Sequence, residues 1–445
     1  MDNLVPRFYK EYGISINTFR ALPHIRDGLK PIERRVLYSA YEVARSKSVK
    51  SVKVDAHCIG NYSPHGSSYG TLVNLVQNGF LTGQGNFGCE IGIESEPAAA
   101  ARYTEVMLNK FVDKSTFELV DYVPRQKYEL EEEPLYLPTI LPFCLMGINP
   151  TQGVGFGYKT YCPNYKIEDL YQRLLYVLGI KKEKVIIKPL VKGCIVTSTD
   201  QELEELLLTG KGKIQVKGVA EYDLRNFRII LRSWPPTRSF SSFLNKFKKE
   251  LESGDFGYND QSSKSRGGTC VEFELLKQRS KENIFKNIVE KFESCLEGQM
   301  SYDTVVVDKE WKARTVSIDE LLLTVFETYL NTNNTFLISE KDKIEKLSNE
   351  YNCLLQLRKI LPKYIEDITI MKLETILPQL CNESGIEENI IKEILGKYSI
   401  KKLFEVKIDI DSMTKSIGII DNNLKNLKRF VVKKYISLLG IGDNK

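Results

Sequence analysis

Two heptad repeats of apolar residues in the last third of the chain constrain its fold most strongly. One seam runs from Ile344 to Leu361, with Arg358 at one seam position, and a second runs from Met413 to Leu438. Apolar residues at this spacing are typical of helices that pair along a seam. We therefore predict a long antiparallel coiled coil in the last third, which goes out and returns around a small globular tip.

The preceding residues divide into two regions of different composition. Residues 1–160 are rich in Gly, Pro and short polar loops, with a helix predicted from Pro31 and a solvated loop predicted over 129–133. Residues 161–315 mix helical and strand patterns, and the polar segment 255–268 predicts a loop. Together these patterns indicate an α+β multidomain protein. The strands predicted in the second region are Val185–Ile187, Ile195–Thr197, Lys213–Val216, Phe227–Arg232 and Cys270–Leu275.

Composition excludes several classes of protein. The chain has 445 residues, of which 42% are hydrophobic and 27% charged, as is ordinary for a globular protein. It contains no apolar run of the ~18 residues that a membrane-spanning helix needs, and its first residues lack the apolar core of a secretion signal. Nine cysteines without a CxxC pair favour free thiols over disulfides or a zinc site. We therefore expect a cytoplasmic protein.

Positive charge is concentrated at the amino terminus. The formal net charge is +5, and residues 1–50 alone hold ten Lys and Arg against five Asp and Glu. A local basic patch fits contact with phosphates, as in proteins that bind nucleic acid. On charge alone, a solvated helix face explains the same pattern equally well.

The sequence Arg102-Tyr103-Thr104 points most directly to chemistry. A phenol can attack phosphorus and hold one end of a cut phosphodiester, while a neighbouring guanidinium neutralises charge on the non-bridging oxygens. The pair follows an alanine-rich run, 97–101, and we expect it on a short helix. Most tyrosines are half-buried packing residues with a hydrated hydroxyl, so the pair gains weight only from the motifs around it.

Two further motifs favour structural interpretations. Gly83–Gly88 matches GxGxxG, but no β-branched strand precedes it and no acidic residue closes a βαβ unit, so a tight turn is favoured over a dinucleotide site. The chain also lacks a Walker A sequence for a nucleoside triphosphate. Asp409 and Asp411 form a DxD that could bind a metal, but its place before the last helix favours capping by Asp411 or Ser412.

Three histidines occur in the chain, and one of them has a functional context. His65 lies in Pro64–Ser68, a predicted helix start where serine side chains and free amides can hold a phosphate. His24 and His57 have no such context and are interpreted as structural.

Six segments then resemble a known family in their order and spacing. They resemble the start of the DNA-cleaving subunit of type IIA DNA topoisomerases, the gyrase A and topoisomerase IV A family. The layout is closest to the medium subunits that phages encode. The resemblance is strong over residues 10–160 and weaker beyond. The segments that carry it are Arg20–Pro23, Arg26–Pro31, Arg34–Tyr38, Ile59–Gly66, Gly83–Gly88 and Ala99–Glu105.

The resemblance implies a role for individual residues. Tyr103 matches the nucleophile that forms a 5′-phosphotyrosine link, Arg102 its charge-stabilising neighbour, and His65 a third catalytic residue. Val154 matches an apolar wedge that enters a base step and bends the DNA. Ser68 matches a helix position on which quinolone drugs depend. The positions implied to bind DNA are Arg20, Lys30, Arg34, Arg35, Ser67, Ser68 and Val154.

The sequence departs from the family pattern in several places. Glu33 precedes the arginine pair where bacterial enzymes usually carry a histidine, and Ser63 replaces the first histidine of an HPHG motif. The helix after His65 is about two residues shorter and lacks an expected acidic residue, which puts a quinolone response in doubt. The sequence also ends with the coiled coil, so we expect no intrinsic negative supercoiling.

The resemblance also implies the domains and partners of the chain. Residues 1–160 would form a winged-helix breakage–reunion domain, 161–315 a mixed α/β tower, and 316–445 the coiled coil with a dimerisation gate near 375–410. The substrate would be double-stranded DNA, cut by a homodimer. Mg²⁺ would be held by the TOPRIM domain, and ATP by the ATPase, of a partner subunit in a heterotetramer. This chain would hold neither a metal nor a cofactor, and it would act at the nucleoid or, if viral, in the host cytoplasm.

Two other functions compete with an ATP-dependent topoisomerase subunit. The first is a winged-helix protein derived from this family that bends or clamps DNA without cutting it. The intact pair of Arg102 and Tyr103 argues against it, since a binding protein has little use for a phenol there. The second is an architectural dimeriser built on the coiled coil, which leaves residues 20–105 unexplained.

Overall fold

The computed structural model contains two compact units. The first comprises Met1–Tyr329 with Leu438–Lys445, and the second comprises Leu330–Ser437. No helix among the described residues is both long enough and apolar enough to cross a membrane. The described residues are 4–88, 96–252, 256–262, 270–275, 281–364 and 373–439.

The amino-terminal region packs short helices against a small antiparallel sheet. A π-helix, Asn17–Ala21, follows the first α-helix, and the strand order in the sheet is β1-β3-β2. The predicted start at Pro31 is confirmed, because proline lacks an N–H that the first turn of a helix leaves unused. The helices are α1 Leu4–Ile16, α2 Pro31–Ala44, α3 Ser51–Asn61, α4 Tyr69–Gln77 and α5 Lys110–Thr116, and the strands are β1 Val49–Lys50, β2 Leu81–Gln84 and β3 Glu105–Leu108.

Two hairpins follow this sheet. The first pairs β4 Arg125–Lys127 with β5 Glu132–Pro134, and the second pairs β6 Gln152–Val154 with β7 Lys159–Tyr161. The solvated loop predicted over 129–133 is wrong at its carboxyl end, where Glu133 is 6% exposed within β5.

The middle of the chain contains two further sheets. The order is β6-β7-β14-β9-β8 in one and β10-β11-β13-β12 in the other, and the second covers an aromatic core that includes Phe243, Phe273 and Phe292. A short hairpin of β15 and β16 precedes the longest helix. The strands are β8 Ile195–Val196, β9 Lys211–Lys217, β10 Ala220–Asp223, β11 Arg228–Leu231, β12 Phe256–Asp260, β13 Val271–Leu275, β14 Glu297–Asp303, β15 Val305–Val307 and β16 Ala313–Thr315. The helices are α6 Ile167–Val177, α7 Asp200–Thr209, α8 Phe240–Lys246, α9 Lys248–Glu252 and α10 Lys281–Leu296.

Most of the strands predicted in this region are confirmed. The segments 195–196, 213–216, 228–231 and 271–275 lie in strands, whereas residues 185–187 do not. Phe256–Asp260 is a strand where a loop was predicted, because it pairs with β13 across its full length. The rest of that predicted loop includes residues 263–269, which lie outside the described residues.

The second unit contains the predicted helical seams. Helix α11, Ile318–Ile360, enters this unit at Leu330. The predicted return helix exists but is divided at Asn426, and Lys341 on α11 forms an ion pair of 2.7 Å with Asp421 on its first half. The remaining helices are α12 Leu373–Ser384, α13 Glu388–Lys397, α14 Ile400–Glu405, α15 Ile410–Lys425 and α16 Leu427–Leu439.

A small apolar core lies between the two seams, as the globular tip predicts. Leu354, Leu357 and Leu361 pack there with residues of α12 and α13. The polar seam residue Arg358 is explained, because its guanidinium donates to the backbone oxygen of Leu403 at 2.6 Å and to that of Val406. Capping at the DxD motif is confirmed with a shift in residue: Asp409, and neither Asp411 nor Ser412, is the N-cap of α15.

Candidate active site

Tyr103 and Arg102 lie together on an exposed turn. The Tyr103 side chain is 64% exposed, and the guanidinium carbon of Arg102 lies 4.6 Å from the centroid of its ring. The short helix predicted here is wrong: residues 101–103 form a turn closed by the Tyr103 N–H donating to the Ala100 carbonyl at 2.8 Å, just before β3. The turn leaves both side chains accessible to a large ligand.

A buried hydrogen-bond network holds this turn from below. Thr104 is fully buried, and its hydroxyl donates to the Ser51 hydroxyl at the start of α3 at 2.8 Å. The hydroxyl of Tyr69, at the start of α4, donates to the Ala99 carbonyl at 2.6 Å and lies 2.9 Å from the Thr104 hydroxyl. Two helix starts therefore fix the residues on both sides of the reactive pair.

His65 faces a cavity of about 820 Å³. It lies in the bend before α4, and the helix begins only at Tyr69. Its ring nitrogen Nε2 lies 3.0 Å from a carboxylate oxygen of Glu129, on the loop between β4 and β5. Arg20, Arg35 and Ser67 line the same cavity. Arg20 is exposed, and within the described residues its guanidinium forms no hydrogen bond or ion pair.

Ser67 and Ser68 are both held by Asp55 of α3. The Ser67 hydroxyl donates to one carboxylate oxygen at 2.7 Å, while the amide and hydroxyl of Ser68 donate to the other at 2.6 and 2.7 Å. Ser68 is 3% exposed, so in this conformation its hydroxyl stabilises the loop through its bond to Asp55. A carboxylate with several donors is a strong anchor, and here it fixes the backbone that carries His65.

The two arginines of α2, which the family resemblance implies bind DNA, are buried. Arg34 forms a 2.7 Å ion pair with Asp27, which is fully buried, and Arg35 forms one of 2.8 Å with Glu133. Burial lowers the pKa of Arg34, but hydrogen bonding and attraction to Asp27 leave that pKa raised above its ordinary value. Both guanidiniums therefore have carboxylate partners, and Arg34 does not line the cavity.

Val154 is strongly exposed for an apolar residue. It ends β6 with 85% of its surface accessible. Lys30, predicted to contact DNA, instead donates from Nζ to the carbonyl of Gln152 in the same strand at 2.6 Å. The structure thus places Lys30 against the hairpin that presents Val154.

Eight of the ten predicted residues fall into three groups, and Arg34 and Ser68 belong to none of them. Arg20, Arg35, His65 and Ser67 line one cavity, Arg102 and Tyr103 share one turn, and Lys30 with Val154 belongs to the β6–β7 hairpin.

Four residues that position these groups were missed in the sequence. They were missed because their types are common and their partners are distant along the chain. Only Glu129 carried a signal, since it begins an acidic run. The four are Asn17, Asp55, Tyr69 and Glu129.

The described residues contain no cluster of three or more His, Cys, Asp or Glu side chains that could hold a metal ion.

Comparison with known proteins assigns the family. The family model for the A subunit of DNA gyrase/topoisomerase IV matches residues 20–438. The DNA gyrase A subunit of Thermotoga maritima is 27% identical over 350 residues, which cover 72% of this chain and 42% of that protein. The DNA gyrase A subunit of Rickettsia felis is 27% identical over 97% of this chain and 51% of its own length. The DNA topoisomerase 4 A subunit of Neisseria gonorrhoeae is 31% identical over 55% of this chain and 34% of its own. The chain thus spans about half or less of these relatives, and it belongs to the family of DNA gyrase and topoisomerase IV A subunits.

Proposed function

We propose that this chain is the DNA-cleaving and rejoining subunit of an ATP-dependent type II DNA topoisomerase. It would make a transient double-strand break so that a second duplex can pass, relaxing or decatenating DNA. The observation that carries the proposal is the exposed phenol of Tyr103 beside the Arg102 guanidinium, in a family defined by gyrase and topoisomerase IV A subunits. A surface tyrosine that only stabilised the fold would not need such accessibility.

In this proposal Tyr103 attacks the scissile phosphorus through its phenolic oxygen. The phenol gives up its proton, the bond from phosphorus to the 3′ oxygen breaks, the 5′ end stays on Tyr103, and the leaving oxygen takes up a proton. Arg102 stabilises the charge on the non-bridging oxygens, and His65 with Arg20 binds a nearby phosphate. The reverse reaction reseals the strand with little change in free energy, because one phosphoester replaces another.

We further propose the three domains that the family resemblance implies. The helices α2–α4 with the sheet β1-β3-β2 would form the winged helix within 1–160, and the sheet β10-β11-β13-β12 with strands β8, β9 and β14 would form the tower within 161–315. Residues 316–445 would form the coiled coil and dimerisation gate, with the core around Leu354 and Ile391 as its tip. Cutting both strands requires two copies of Tyr103 and therefore a homodimer.

The metal and the nucleotide are assigned to a partner. Mg²⁺, bound to a TOPRIM domain, would supply charge neutralisation at the scissile phosphate. ATP would bind to the same ATPase/TOPRIM subunit in a heterotetramer. The chemistry assigned to this chain is limited to the phenol and the cations around it.

Val154 would act as the wedge that bends the cleaved duplex. An apolar side chain inserted between base pairs unstacks one step at a cost of a few kcal/mol, which wider contact with the bent DNA repays. The 85% exposure of Val154 at the end of a strand is what a wedge requires.

The experiment combines the chain with an ATPase/TOPRIM subunit, Mg²⁺ and supercoiled plasmid, then traps the products with detergent. We expect protein linked covalently to 5′ DNA ends, and we expect Tyr103→Phe to abolish the link. Tyr258→Phe is the matched control, since that tyrosine is also exposed, at 48%, but lies in β12. With an active partner, DNA binding without any adduct would favour the non-cleaving clamp instead.

A further inference from the structure

The β6–β7 hairpin lies in close contact with the π-helix Asn17–Ala21. A Cβ atom added to Gly153 would lie 2.1 Å from the Ala21 carbonyl oxygen, and one added to Gly155 would lie 2.1 Å from the Asn17 Oδ1. At position 153 the neighbour is backbone, so only glycine fits there, whereas at position 155 the Asn17 side chain would have to move. Gly153 and Gly155 flank Val154. The Val154 side chain therefore lies between two close contacts of the backbone with the π-helix.

Asn17 binds the turn of this hairpin through both the oxygen and the nitrogen of its side-chain amide. Its Oδ1 accepts from the Phe156 N–H at 2.6 Å, and its Nδ2 donates to the Phe156 carbonyl at 2.9 Å. Asn17 is 6% exposed, so water competes little for these bonds. One amide that satisfies both backbone groups of one residue acts as a short β-bridge and fixes that residue in position and orientation.

Two more contacts hold the β6–β7 hairpin, and together with the Asn17 bonds to Phe156 we call them the hairpin lock. Lys30 holds the opposite end of β6 through the Gln152 carbonyl. The Phe156 ring packs edge-on against Tyr9 of α1, with centroids 4.6 Å apart. The tip of the hairpin is thus held at both ends while Val154 remains exposed.

We propose that Asn17 is a positioning residue for the DNA wedge. The Asn17 bonds to Phe156 hold Val154 at a fixed place relative to Arg20, which lies on the same π-helix. A preset wedge loses no conformational freedom when it enters a base step, whereas a mobile one must be ordered at that moment. This inference rests on the wedge role of Val154 proposed above.

The test measures DNA bending separately from DNA binding. The full-length protein is mixed with a duplex labelled at both ends, and energy transfer reports the bend while titration gives the affinity. We expect Asn17→Ala to lose most of the bend but to change duplex affinity by less than about threefold, under ~0.7 kcal/mol. Asn226→Ala is the matched control, because its side-chain amide donates to Asp223 within the β10–β11 turn and is far from Val154 along the chain.

Val154→Ala separates failure of the inference from failure of the proposed function. If Val154→Ala loses the bend and Asn17→Ala keeps it, the positioning role is wrong while the wedge stands. If neither variant changes the bend, the wedge itself is wrong. A fall in affinity as large as the fall in bending would assign Asn17 to the fold alone.

Two substitutions, made singly and together, test the hairpin lock by changing the hairpin residue that faces Asn17. Gly155→Ala places a methyl group on the Asn17 Oδ1, so we expect it to displace the turn and lose the bend. In the Asn17→Ala background that clash disappears, and the next contact is the Ala21 Cβ at 3.3 Å, which needs only a small shift. We expect Gly155→Ala to cost bending in the native background and to cost nothing further in the Asn17→Ala background. Equal and additive losses would overturn the proposal, and the Gly155 variants remain informative if Asn17→Ala folds poorly.

Discussion

Two arginine motifs of the first unit use the same side chain in opposite ways. Arg34 and Arg35 of α2 are each 6% exposed and paired with carboxylates, whereas Arg102 is exposed and contacts the ring of Tyr103. A buried arginine has given up its water and depends on its partner, so it supports the fold. An exposed arginine keeps its charge available to a phosphate. In this structure one basic motif is therefore held inside the fold by carboxylates, and the other is left accessible.

The largest effect is expected in the buried motif. Arg34→Met removes the ion pair from Asp27, which also accepts from the backbone N–H groups of Leu29 and Leu137. A buried charge left without its partner costs about 3–5 kcal/mol, and urea unfolding would measure that loss. The double variant Asp27→Asn/Arg34→Met should recover part of it. Unchanged stability together with weakened DNA binding would instead indicate that Arg34 contacts a phosphate.

A second prediction concerns a buried histidine close to that motif. Burial lowers the pKa of His24 to about 3, with attraction by Asp27 opposing it. Below the ordinary pKa of ~6.5, His24 binds a proton in the unfolded chain but stays neutral in the folded chain. The free energy of unfolding therefore falls as the pH drops, by at most about 1.4 kcal/mol per pH unit.

His24→Asn keeps an acceptor for the Arg26 N–H and cannot be protonated in this range. Unfolding curves at several pH values should therefore show a shallower acid dependence for this variant between pH ~6.5 and ~3. The two proteins should differ by a constant amount above neutrality, and parallel curves throughout would contradict the assignment.

The smallest change in stability is expected in the exposed motif. Arg102→Ala should alter the free energy of unfolding by less than about 0.5 kcal/mol, because its side chain is exposed and contacts the exposed ring of Tyr103. Its covalent adduct should fall by roughly 100-fold or more, as when one stabilising donor is removed from a reacting group. A large loss of stability with an unchanged yield of adduct would erase the contrast between the two motifs.

The sequence predicted what depends on neighbouring residues. The start of α2 at Pro31, the strand at Arg228–Leu231 and the long helices of the second unit follow from local patterns, and the structure contains them. The glycine-rich turn after β2 also follows, with Gly85 and Gly88 at positive φ. The candidate nucleophile was found from its motifs alone.

What the sequence did not reveal depends on partners far along the chain. Arg35 and Glu133 are 98 residues apart, and Asn17 and Phe156 are 139 apart. No local sequence pattern indicates contacts between residues so far apart along the chain. An exposed arginine at the edge of a helix and a buried arginine in an ion pair therefore look the same in the sequence. The same holds for Glu129, which was assigned to a solvated loop and instead lies against His65.

The carboxylate of Glu129 also bears on how the cavity responds to ionic strength. It lies 3.7 Å from Arg35, so that guanidinium carries fewer mobile counterions than a free cation would. An incoming phosphate then replaces a fixed anion of the protein, and fewer ions return to solution. Because the logarithm of affinity falls by about 0.9 for each such contact per tenfold rise in salt, duplex binding should tolerate salt better than the number of basic residues implies.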